Sequence, residues 1–157
     1  MGDMTSNEVP SLLQAFRDNR AEFQRLVTAA STRTATASTG AWGVREIVIH
    51  MAAWLDEATD RIPRIMAGAP SVGYAIDDFN AEALAHAQHW NLDQALGAFR
   101  RAADRFDVMI AESVAEELAD EPDVRRWLAT LAGTSMNEHF ADLARLGSSH
   151  SRGIGHG

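Results

Sequence analysis

Hydrophobic residues recur at three- and four-residue steps through most of the chain, the period of helices that bury one face. The clearest run follows Trp42. Val44, Ile47, Val48, Met51, Leu55, Ala58 and Ile62 share one stripe, which predicts a core helix over residues 43 to 67. Pro63 lacks an N–H and is expected to kink that helix or end its regular part near Ile62, with Gly68-Ala69-Pro70 marking the stop. Before it, Leu12, Leu13, Phe16, Phe23, Leu26 and Val27 predict a first helix from Pro10 to about Ala30. The Ser-, Thr- and Ala-rich stretch from Ser31 to Gly40 is expected to be a loop.

After the core helix, Asp77 or Asp78 is expected to cap a short helix reaching about His89, with Phe79, Ala83, Ala87 and Trp90 on one side. Asn91 and Gln94 have the spacing of a capping box. They open the longest stripe, Leu92, Leu96, Phe99, Ala103, Phe106, Ile110 and Val114. A turn is expected at residues 119 to 123. The last stripe comprises Val124, Trp127 or Leu128, Leu131, Ser135, His139, Leu143 and Leu146, with Ser135 and His139 as its polar interruptions. No stretch alternates as a half-buried strand does. The expected fold is all-α, with four main helices in a bundle and a short extra helix before the third. Residues 1–8 read as a flexible lead-in, 9–146 as a single bundle domain and 147–157 as a disordered tail.

The 157 residues suffice for one domain with its own core. At 46% hydrophobic and 23% charged, the composition is that of a soluble globular protein. No apolar run approaches the roughly 18 to 20 residues of a membrane span, and Met1-Gly2-Asp3-Met4 lacks a basic-then-apolar signal. A cytoplasmic protein without a membrane partner is expected. The absence of cysteine excludes disulfides, thiolate metal sites and cysteine nucleophiles, so a tight metal site must use histidine and carboxylate. A formal charge of −8, with arginines scattered among acids, argues against a nucleic-acid partner.

His50 falls between Ile47 and Met51 on the apolar stripe of its helix, and His139 lies on the stripe of the last one. Helix bundles commonly build metal or ligand sites from inward side chains on facing helices, which makes this pair the candidate centre. Trp54 and Trp127 are expected core anchors that also suit the walls of a pocket for a small organic ligand. His86 and His89 share a helical face but have no acid placed beside them, and they read as surface or packing residues. There is no GxGxxG, Walker or GxSxG motif, so ATP and dinucleotide chemistry have no support.

Trp42-Gly43-Val44-Arg45-Glu46, followed by His50 and Trp54, resembles the second-helix signature of the DinB-like superfamily, in which a Trp stands eight positions before a metal-binding His. Trp127-Leu128-Ala129, then Glu138-His139 and Leu143, is similar to the closing helix of that family, and Asp78-Phe79-Asn80-Ala81 resembles the start of its middle section. The resemblance covers about residues 10 to 146. It implies a four-helix bundle enzyme, like the mycothiol and bacillithiol transferases, performing metal-assisted thiol transfer, isomerisation or hydrolysis on a small molecule, with members that use a low-molecular-weight thiol as partner or detoxify a reactive compound.

The implied metal is zinc or nickel held by His50 and His139. Ser135 stands where the family usually places another ligand, and a serine hydroxyl is a poor ligand at neutral pH, so Ser135 is instead assigned to positioning substrate. Three outcomes stay open. The two histidines bind a weaker metal completed by water or a carboxylate such as Glu57; they act without metal as acid, base or substrate holders; or they hydrogen-bond within the core. In the last case the bundle is a small-ligand binder or an interaction module, and a homodimer is expected of a bundle this size.

Overall fold

The computed structural model describes residues 8–33, 43–131 and 138–145. All the regular structure in them is helical: α1 (Glu8–Arg33), α2 (Val44–Met66), α3 (Ile76–His86), α4 (Leu92–Glu112), α5 (Ala115–Asp120), α6 (Pro122–Ala129) and a further segment, α7, at 138–145. None of the described helices is long and apolar enough to cross a membrane.

The α2 and α4 pair forms the centre, packed together along their lengths, with α1 against α4, α2 and α5, and α6 against α2 and α5. The α2 stripe disappears into this core: Ile47, Met51, Leu55, Ala58 and Ile62 are all buried. Phe23 of α1 meets Phe99 of α4 at 4.9 Å between ring centroids, and Phe16 meets Phe106 at 4.8 Å, so two aromatic pairs dock the first helix.

Cap chemistry explains the helix ends. Asn91 Oδ1 accepts from the Gln94 N–H at 2.8 Å, and Gln94 Oε1 accepts from the Asn91 N–H at 2.9 Å, closing the capping box at the start of α4. At the end of α2 the Ala69 N–H bonds to Arg64 O and the Gly68 N–H to Ile65 O. This Schellman pair needs a left-handed residue, and Gly68 supplies it at φ +98°. Arg45 ties α2 to the end of α3: Nε donates to Trp90 O and an Nη to Ala87 O, each at 2.6 Å.

Several boundaries differ from the sequence expectation. Helix α1 continues through Arg33 into the stretch expected as a loop, because Ser and Thr cost only a few tenths of a kcal/mol per helical residue and no Gly or Pro intervenes. Helix α2 runs past Pro63 to Met66; the proline is exposed, so its ring and missing donor fall on the solvent side. Helix α3 starts one residue before the acids expected to cap it, with Asp77 and Asp78 in its first turn, where the helix dipole favours them, and it stops at His86. Val114 lies off the α4 core stripe. The chain leaves α4 at Ser113, and Val114, 53% exposed, precedes the unforeseen α5, which buries Leu118 and Ala119. Helix α6 ends its regular α-turns at Ala129 and widens to a π-type turn at Thr130 and Leu131. The lead-in up to residue 7, Trp42, Ser135, Leu146 and the expected tail lie outside the described residues.

Candidate functional site

His50 projects from α2 and His139 from α7, and their rings lie side by side, with centroids 5.0 Å apart and planes at 77°. The neighbours of His50 on its own helix, Ile47, Ile49 and Met51, are buried, while His50 itself stands half-buried at the edge of the core. It lines a pocket of about 440 Å³ together with Trp54, Tyr74, Trp127, Thr130, Leu131 and Glu138. The two sequence-proposed wall residues, Trp54 and Trp127, therefore share this pocket with His50.

The wall is an aromatic cluster. Trp54 stacks on Phe79 at 4.0 Å and meets Tyr74 edge-on at 5.2 Å, while Trp127 lies 6.0 Å from Trp54 and 5.7 Å from Tyr74. The Trp54, Tyr74 and Trp127 rings contact one another edge-on or tilted, so they form a continuous aromatic cluster whose planes are steeply inclined to one another. The Tyr74 hydroxyl donates to Glu57 Oε2 at 2.5 Å, pinning the connection from α2 to α3 against α2. Burial, and then the Glu57 carboxylate, push that hydroxyl up to about 12. Glu57 is thus committed to Tyr74 and stands 3.7 Å from Arg61.

On α3, Asn80 Oδ1 lies 2.9 Å from His50 Nδ1 and accepts from Trp54 Nε1 at 2.8 Å. On α7, His139 Nδ1 stands 4.0 Å from Asp142. Burial, and then the neighbouring His139, pull His50 down to about 4. Burial also lowers His139, opposed by Asp142 and Glu138. Both imidazoles are accordingly neutral at pH 7, the form that accepts a proton or coordinates an ion.

Two imidazoles on one tetrahedral ion at about 2.1 Å place their centroids roughly 5 Å apart, which the observed spacing matches. Among the described residues no group of three or more His, Asp or Glu side chains is placed around one ion. The pair supplies two imidazole donors at that spacing. His86 and His89 are exposed, with His86 edge-on to Trp90 at 6.3 Å, and stand apart from this pocket.

The depressed imidazoles make folding pH-dependent, with a defined sign. A base whose folded pKa lies below its unfolded value leaves stability intact above about 6.5 and removes it as the pH falls toward about 4. Discounted for the partial exposure of His50, the loss in metal-free protein is expected to be about 2 kcal/mol. His139 contributes with the same sign, tempered by Asp142 and Glu138. Urea unfolding at pH 7.0 and 4.5 measures it, and His50→Gln, which cannot titrate there, should show a shallower acid loss. An equal slope in the two proteins would refute the assignment.

Sequence reasoning missed Asn80 and Tyr74 as parts of the site. Tyr74 lies outside any helix, and Asn80 carried only a segment likeness. Comparison of the chain with protein-family models, with characterised proteins and with solved structures gives no match.

Proposed function

We propose that the protein is a DinB-like helical bundle enzyme acting on a small molecule in the pocket beside Trp54 and Trp127, with His50 and His139 holding a divalent ion, zinc or nickel. The observation that carries this reading is the perpendicular imidazole pair at 5.0 Å. The bundle consists of α1, α2, α4 and the closing pair α6 and α7. The reaction class is thiol transfer, isomerisation or hydrolysis, with a low-molecular-weight thiol as candidate co-substrate.

A divalent ion supplies Lewis acidity and lowers the pKa of a thiol or water. The chain's own contribution is placement. Trp54, Tyr74 and Trp127 offer aromatic surface to the body of the substrate, and half-buried His50 on the same lining marks where its polar group is received. The hydroxyl of Thr130 and the carboxylate of Glu138 line the same pocket and orient polar substituents.

A second reading is favoured by the continuity of the aromatic wall: a pocket that binds an apolar ligand, with the two histidines serving as hydrogen-bonding groups. Calorimetric titration of protein carrying no polyhistidine tag separates the two. The enzyme reading expects one zinc or nickel ion per chain at pH 7.5; saturation with neither ion, alongside quenching of tryptophan fluorescence by apolar aromatic compounds, selects the binder.

A further inference from the structure

We propose that Asn80 is the positioning residue of this site, holding His50 in the tautomer that carries its proton on Nδ1 and so making Nε2 the nitrogen offered to an ion or substrate. The inference rests on the reading above only for what Nε2 serves; the tautomer is inferred from the contacts of Asn80 with His50 and Trp54.

The argument starts from Trp54. An indole N–H can only donate, and Trp54 Nε1 lies 2.8 Å from the end of the Asn80 side chain. The atom it meets must therefore be the amide oxygen, which removes the usual ambiguity between the two ends of an asparagine. That same oxygen lies 2.9 Å from His50 Nδ1. An amide oxygen has no proton to give, so Nδ1 must donate. A neutral imidazole carries one N–H, and with Nδ1 protonated the lone pair falls to Nε2.

Three elements of the sequence combine to make this lock. His50 and Trp54 stand four residues apart on α2, so their side chains leave the same face one turn from each other. Asn80 comes from α3, thirty positions beyond His50, and reaches both with one atom. The contacts are half-buried, where competition from water is reduced. The side chain must be a short acceptor. Leucine has nearly the shape and no oxygen, whereas aspartate keeps an oxygen in the same place. Histidines that bind metals ordinarily donate their other ring N–H to such a partner, and losing that partner costs about 10- to 100-fold in affinity.

The test reads the tautomer directly. In metal-free protein at pH 7.5, long-range proton–nitrogen correlation spectra should show His50 Nδ1 as the protonated, pyrrole-type nitrogen and Nε2 as the pyridine-type one. In Asn80→Leu the His50 ring should move toward the Nε2–H form, and zinc affinity should fall about 10- to 100-fold. Asn80→Asp, which keeps the acceptor, should retain the Nδ1–H form and recover most of the affinity. An Nε2–H form in the unmutated protein, or a tautomer unchanged in Asn80→Leu, overturns the proposal. If the unmutated protein has the Nδ1–H form and binds neither zinc nor nickel, the positioning role stands and the metal reading falls.

Discussion

His50→Ala and His139→Ala are each expected to weaken zinc or nickel binding by more than about 100-fold, because deleting a ligand must cost at least as much as disturbing a partner behind it. Among the described residues no third His, Asp or Glu side chain forms a group with the two rings around one ion. Glu57 does not substitute, since its carboxylate already accepts from Tyr74 and stands beside Arg61. The two variants should fail equally, and the double variant should lose no more than either single one, as expected of groups acting on a single ion. Unequal losses, with one variant binding normally, would assign the ion to one ring and dissolve the shared site. Calorimetry on the untagged proteins reads all three.

The largest loss of stability is expected in Phe99→Ala, at about 3 to 5 kcal/mol. Phe99 is wholly buried on α4, the helix that packs along α2, and its ring meets Phe23 of α1 at 4.9 Å. Truncation leaves a cavity at the junction of three helices and removes an aromatic pair that also docks α1. The contrasting variant is Val108→Ala on the same helix. Val108 is 51% exposed, and the change should stay within about 0.5 kcal/mol. Urea unfolding measures both, and a Phe99→Ala loss below about 1 kcal/mol would contradict the packing described.

Much of the helical plan could be read from periodicity, and the reasons are local. The α2 stripe of Ile47, Met51, Leu55 and Ile62 has one face to bury, and the Asn91 and Gln94 pair states a helix start in two residues. What escaped was set by tertiary context. Pro63 does not end α2 because its ring falls on the solvent side, a fact about neighbours that no propensity contains. Helix α5 is six residues long, too short for a period to declare itself, and is held by burial of Leu118 and Ala119.

At the site, His50 and His139 stood out as polar interruptions of apolar stripes, and an interruption needs no partner to be noticed. Asn80 did not stand out. Helix α3 fully buries none of its residues, Asn80 stands next to Phe79 and not at a three- or four-residue step from it on the predicted apolar side, and the meaning of Asn80 lies in two bonds reaching α2. Tyr74 sits in a connection, where periodicity says nothing, and gains its role from Glu57 and the ring cluster. The pairing of histidines eighty-nine positions apart is likewise a property of how α2 and α7 are placed, which their positions on two apolar stripes suggested and did not dictate.

The most direct measurement is a crystal of the untagged protein soaked in zinc or nickel, with anomalous diffraction collected at the edge of the metal. The account predicts one strong peak, about 2.0 to 2.2 Å from a ring nitrogen of His50 and of His139 together. A peak bound to other residues, or rings that lie on separate surfaces with no peak between them, would contradict it.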